Sequence, residues 1–364
     1  MISLRRRQLL GLGLGLATLG AVRYAHARSE SGTASLTIKR RWPTGNQRLF
    51  PVSRFDQAVL YAGESTLGLI DPAATQVLWS VPHELPEGAV FRPRVQAGIV
   101  VCGGRREIAA WQPGQNAPLW RYPARLQIGT PLLHEGTVYF GDGHELVALD
   151  LESGAPRWRF AAVADTHISY APAATGDTVF VGPGDGRLYA LATTDGKPRW
   201  VVNRIRDWQY LRQLHLSGKV LVAGGYQEKL HGIDVADGRE LWSFNAGNFI
   251  NSHHVANGVA YLWSPMGWLY AIDARTGAMR WRHRTNDYSG GSYNWGPLMA
   301  ELVTQDQRLY ALDLKNVLHI LDVTQGEESA RLNLPEPVRP FVLPLDQRRA
   351  LFGADNGDLL LASL

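Results

Sequence analysis

The chain has 364 residues, of which 45% are hydrophobic and 19% charged. Its formal net charge of +4 resides in the first 27 residues, which hold four arginines and no acid; beyond them 33 of the 37 basic residues face 33 acidic ones. That balance removes nucleic acid and anionic membrane surfaces as default partners, and the single Cys102 excludes an intrachain disulfide.

The first element is MISLRRRQLLGLGLGLATLGAVRYAHARSE. Arg5, Arg6 and Arg7 precede an apolar run from Leu9 to Val22, and Ala25-His26-Ala27 offers a small-x-small cleavage site. This pattern predicts an export signal over 1–27, outside the folded domain. The run is too short for a bilayer, which needs about 20 apolar residues. Arg6-Arg7-Gln8-Leu9-Leu10 resembles a twin-arginine box, which would route the chain out of the cell already folded. No cysteine lies near the cut, so no lipid anchor is expected there.

After LTIKRRWPTG (36–45), a short run of apolar and polar alternation that carries Trp42, one phrase recurs. In chain order it reads LGLIDPAATQVLW (67–79), IAAWQPGQNAPLW (108–120), LVALDLESGAPRW (146–158), LYALATTDGKPRW (188–200), LHGIDVADGRELW (230–242), LYAIDARTGAMRW (269–281) and LHILDVTQGEESA (318–330). The Asp position falls at 71, 112, 150, 192, 234, 273 and 322, with Ser363 as an eighth equivalent, in steps of 38 to 42 residues save one of 49. A period near forty predicts one four-stranded propeller blade per repeat. Within a copy, runs such as GTVYFG (136–141) and HELVALD (144–150) read as strands joined by Gly turns. The Asp is placed to accept backbone N–H groups in the following turn. The Trp is placed to fill the wedge that widens between radiating blades, burying on the order of 200 Å². Both jobs are structural. Cys102, after the apolar AGIVV, is predicted to be a buried small hydrophobe.

The phrase AIDARTGAMRW resembles the tryptophan-docking repeat of PQQ-like β-propellers, a family that contains quinoprotein dehydrogenases and BamB-type assembly lipoproteins. The resemblance covers 36–364 and implies an all-β, eight-bladed propeller of four-stranded antiparallel blades over 28–364. Eight inner motifs but seven outer strands leave the last blade one strand short, so residues 36–45 are predicted to close the ring beside its final strand. Closure removes the open edge of the array.

The segments joining one blade to the next are where repetition stops. They carry Arg92, Tyr170, Arg212, Gln213, His253, His254, Tyr293, Trp295 and Arg339, predicted to stand at the mouth of the central channel. Aromatic and arginine side chains there are the types enriched at binding hot spots. The pair His253-His254 is not expected to ligate one metal, because neighbours on a strand point to opposite faces. GPGDG (182–186) joins two strands and is read as a hairpin turn, while DWQYLR (207–212) suggests a surface aromatic ridge. The 49-residue step places its surplus between Trp281 and Gln307, in NDYSGGSYNWG (286–296), a composition suited to a recognition loop.

The family's quinoproteins hold PQQ over a Trp floor, beneath a disulfide of adjacent cysteines and beside Ca²⁺ and a catalytic Asp. Trp268 or Trp295 is a candidate floor, and Arg212 or Arg339 a carboxylate clamp. The lone Cys102 cannot form that disulfide, there is no haem-attachment motif, and no catalytic Asp is assignable. The expectation is a periplasmic propeller, monomeric on its own, that holds no cofactor and no metal and serves as a platform for an exported or envelope protein. A PQQ- and Ca²⁺-dependent oxidoreductase and a small-molecule or polysaccharide binder are the alternatives.

Overall fold

The computed structural model describes residues 34–163, 166–203, 213–224, 229–246, 252–264, 266–285, 301–313 and 315–364. The predicted export signal, the 207–212 run and the 286–296 loop lie outside them, with Arg212, Tyr293 and Trp295. Among the described residues there are strands, turns and no helix, so none is long and apolar enough to cross a membrane.

The strands form eight sheets arranged as an eight-bladed propeller. Blades 1 to 7 span 53–82, 94–123, 132–161, 173–203, 213–245, 252–284 and 301–333, each with its strands in chain order. Blade 8 has three strands from 338–363 and takes its fourth from the other end of the chain. Thr37–Trp42 runs antiparallel to Leu359–Ser363, pairing Thr37 with Ser363 and Trp42 with Leu359. Ala34–Ser35 continues into blade 7, parallel to Glu328–Asn333, so one segment straps the last two blades together. The predicted closure is present.

There is no single central core. Eight apolar clusters sit one at each blade boundary, such as Val101, Trp120, Val138 and Phe140 between blades 2 and 3. This follows from the sequence of the middle strands: runs such as TVYFGD and ELVALD are apolar at successive positions because both faces meet a neighbouring blade. Cys102 is fully buried in the cluster between blades 1 and 2, and burial pushes its thiol up to about 12.

The repeat residues do the stitching. The indole N–H groups of Trp79, Trp120, Trp158, Trp200, Trp242 and Trp281 each donate to a carbonyl in the turn of the next blade, at Gln115, Leu151, Thr193, Val235, Ala274 and Val323. Asp150 Oδ1 accepts the N–H groups of Glu152 and Ser153, and Asp273 Oδ1 those of Arg275 and Thr276. Ion pairs with Arg157 and Arg280 hold both aspartates down to about 2.

Two boundaries depart from this scheme. Ala330 stands in the Trp place of blade 7, where the next blade offers no turn between its third and fourth strands; Leu36 of the N-terminal strap fills the boundary cluster instead. In blade 8 a register shift between Ile38 and Arg40 sets Arg40 opposite Leu361, the pairing that the docking Trp has elsewhere. Trp42 lies two residues further on, buried among Leu49, Val59 and Phe341, and its Nε1 has no hydrogen-bond partner.

Candidate functional site: the channel and its mouth

The first strand of every blade lines the central channel. Each blade reverses direction at every strand, so the segments joining blades and the turns between second and third strands share one face. The structure shows that contact directly: Leu126 and Arg125, before blade 3, donate N–H bonds to the buried Asp142 carboxylate at 2.7 and 3.0 Å, and Ile128 bonds the carbonyl of Arg105. GPGDG is one of these turns, between Thr178–Val181 and Arg187–Ala192.

Several predicted residues converge at the channel. Arg92, before blade 2, forms an ion pair with Glu301 of blade 7, three blades away round the ring. Glu301 Oε2 also accepts the Val342 N–H of blade 8 at 3.0 Å. His254 Nε2 lies 3.0 Å from Thr304 Oγ1 of blade 7, while His253 turns the other way, its ring 4.8 Å from that of His215 in blade 5. The two adjacent histidines face different neighbours, as strand geometry requires. Burial, then the positive field of Arg92, holds His254 down to about 4. Burial, then His254 and Arg94, does the same to His215. His253, fully enclosed, is driven well below its ordinary range by burial, His215 and His254, against hydrogen bonding to the Gln213 backbone. Among the described residues no group of three or more His, Cys, Asp or Glu could hold a metal ion.

Gln213 opens the first strand of blade 5, and Arg339 sits half-buried in that of blade 8. Tyr170 is 39% exposed before blade 4. Trp268 belongs to the third strand of blade 6, in the body of the blade, with Arg282 and Arg284 over its ring at 4.5 and 5.1 Å. It is no floor of the channel. Sequence reasoning missed Arg94 and Glu301, although polar residues at alternate positions, as in Arg92, Arg94 and Gln96, are the mark of a strand with one face on water.

A sequence model of the family described as outer membrane protein assembly factor BamB matches three overlapping stretches, 63–207, 124–247 and 206–340. The chain belongs to this BamB-like family of PQQ-like propellers. Its fold is similar to that of BamB from Moraxella catarrhalis, at 19% identity and a TM-score of 0.67, covering 91% of this chain and 98% of that one. It is also similar to the quinohemoprotein alcohol dehydrogenase of Comamonas testosteroni, at 12% identity and 0.70, covering 90% of this chain and 76% of that one. The computationally designed Ika8 protein shares the fold at 13% identity and 0.73, over 88% and 97% of the two chains. At such identities the likeness is one of fold. No curated protein matched. The BamB-like fold thus occurs both in an assembly factor and in dehydrogenases.

Proposed function

We propose that this propeller is a non-catalytic platform, exported to the periplasm, that binds another exported or envelope protein on its channel-mouth face. The observation that carries the reading is that five of the ten large exposed apolar side chains among the described residues stand in interblade segments or turns of one face. The other five, Val77, Leu78, Leu119, Val201 and Leu241, lie on or just before the fourth strands at the rim. Val90, Leu126, Val163 and Tyr170 stand before blades 2, 3 and 4, and Met266 in the second-to-third-strand turn of blade 6; all five belong to the channel-mouth face. Loops that display apolar and aromatic side chains on a rigid scaffold suit protein recognition. The family description, which names outer membrane protein assembly, supports the same class of partner.

The residues fit PQQ poorly. The one cysteine is enclosed between blades 1 and 2, Trp268 lies in the body of its blade, and Arg92 and Glu301 are paired with each other across the ring. The test has two arms. Val163→Asp with Tyr170→Ala should abolish crosslinking to an envelope protein in cells while leaving the melting temperature within a few degrees; undiminished crosslinking overturns the proposed face. Addition of PQQ and Ca²⁺ should give no dye-linked alcohol oxidation, and clear turnover would overturn the non-catalytic reading.

A further inference from the structure

The seam of the ring breaks the repeat at one point, and a cavity lies there. In blade 3 the residue that the strand register skips, beside the docking Trp, is Arg157. Its guanidinium pairs with Asp150 at 2.7 Å and donates to the Thr137 hydroxyl, and Asp150 and Thr137 are themselves partners on adjacent strands. Blade 6 uses Arg280 and Asp273 in the same places, also at 2.7 Å. In blade 8 the skipped residue is Lys39, Ser363 stands in the Asp place, and Arg349 lies opposite it in the Thr place. The carboxylate is replaced by a hydroxyl, and the hydroxyl by a second cation.

The cavity measures about 520 Å³ and is lined by Lys39 and Ser363, by Asp346, Arg348 and Arg349 of the turn between the first two strands of blade 8, and by Asp306 of blade 7. Small-molecule sites run from about 300 to 1,000 Å³. Its walls carry three cations to two carboxylates. Asp346 is engaged by Arg349 at 2.8 Å, and Asp306 accepts the Gln305 amide at 3.2 Å. Arg308 adds a further positive charge at the wall, donating to the Gln347 carbonyl at 3.0 Å. Among the described residues neither Lys39 nor Arg348 forms an ion pair. Measured against blades 3 and 6, the place lacks a carboxylate. One carboxylate on an exposed lysine binds weakly. Two on one molecule can use Lys39 and Arg348 together, and a guanidinium takes a carboxylate in bidentate fashion.

We propose that the seam cavity binds a small organic acid with two or more carboxylates, one in the place that Asp150 and Asp273 hold in their blades, beside Lys39 and the Ser363 hydroxyl, and another on Arg348. Such a ligand bridges the N-terminal strap and the first turn of blade 8, and so helps hold the ring shut. Turns between first and second strands lie on the face opposite the channel mouth, so the site survives if the protein-docking reading fails. Thermal unfolding in citrate, succinate, phosphate or chloride at matched ionic strength tests it. Citrate or succinate at ~10 mM should raise the wild-type melting temperature by a few degrees beyond chloride. Lys39→Gln, at an exposed position, should keep its melting temperature in chloride and lose most of that increment. Ser363→Asp should do the reverse. It restores the carboxylate of blades 3 and 6, so it should melt higher in chloride and gain little from citrate or succinate. Equal increments in wild type and Lys39→Gln would reduce the effect to salt and overturn the site, as would no increment in the wild type. An increment in phosphate as large as in citrate would overturn the carboxylate assignment. Should Ser363→Asp fail to fold, the comparison with Lys39→Gln decides.

Discussion

The indole N–H of Trp120 donates to the carbonyl of Leu151 at 2.8 Å across the boundary of blades 2 and 3, and the same ring lies against Gly154. Gly154 has a φ of 70°, and a Cβ there would fall 2.6 Å from the indole. One turn therefore accepts the hydrogen bond and leaves room for the ring. Trp120→Phe keeps most of the apolar burial but strands a buried carbonyl, at a cost of about 1–3 kcal/mol. Trp120→Ala should cost about 3–5 kcal/mol. Urea unfolding midpoints give both values, and a Phe variant as stable as wild type would show that the hydrogen bond contributes nothing net.

The N-terminal strap supplies the fourth strand of blade 8. Arg41 reinforces it, with Asp358 at 3.0 Å and Glu336 at 2.6 Å, but both pairs are partly solvated and count for little beside Leu36 and Trp42. Deleting residues 28–45 should expose the edge of Leu359–Ser363 and open two boundary clusters at once. The expected result is cooperative loss of the fold with aggregation, read by circular dichroism and size-exclusion chromatography. An unchanged melting temperature would refute the closure.

Much of this architecture was legible because it is periodic. Six tryptophans, the turn aspartates and the forty-residue step each repeat a local contact that recurs at every boundary, so pattern alone places them. The exceptions arise where position in the ring overrides pattern. Ala330 faces a blade with no docking turn, and the shift beside Ile38 gives the docking place to Arg40 rather than to Trp42. The channel was harder still. Arg92 and Glu301 are 209 residues apart and meet only because the ring closes, so no local window contains both. The aromatic residues predicted to form the recognition loop, Tyr293 and Trp295, lie between Met279–Arg284 and Glu301–Gln305, the longest interval between consecutive blades.

Cys102 offers a simple probe of global opening. Its side chain is enclosed between blades 1 and 2, and the raised thiol pKa of about 12 leaves almost no thiolate at neutral pH. A disulfide reagent should label no thiol in the native protein and one per chain in denaturant. Rapid labelling of the native protein would mean that the first two blades separate readily.

The cross-channel pair can be tested by a double-mutant cycle. Arg92 is 33% exposed at its side chain and Glu301 16%, between a surface pair and a buried one. A coupling energy of about 1 kcal/mol is expected from Arg92→Ala and Glu301→Gln taken singly and together. Additive effects would remove the pair from any role in holding blades 2 and 7.

The last prediction concerns pH. At the boundary of blades 6 and 7, His319 is fully buried, with Nδ1 2.6 Å from Glu328 and Nε2 3.4 Å from Asp313. Burial opposes its charging, yet the hydrogen bonds and charges of both carboxylates outweigh burial and raise its pKa. Glu328 is held well below the usual carboxylate range: burial pushes it up, and hydrogen bonds from His283, His319 and Arg331 more than reverse this. A histidine whose folded pKa is raised contributes stability that is complete below its unfolded pKa, about 6.5, and lost as pH climbs through the folded value. A carboxylate whose folded pKa is depressed contributes stability that is complete above its unfolded pKa, about 4.5, and lost as pH falls through the folded value. The two contributions therefore coexist between about 4.5 and 6.5. Denaturant midpoints measured from pH 4 to 9 should fall on the alkaline side of that window in the wild type. In His319→Gln, which keeps a polar side chain but cannot titrate, the alkaline decline should be shallower and the gap between the two proteins should narrow as pH rises. Parallel profiles for the two proteins would show that His319 is not charged in the folded state, and the contact with Glu328 would then be a neutral hydrogen bond.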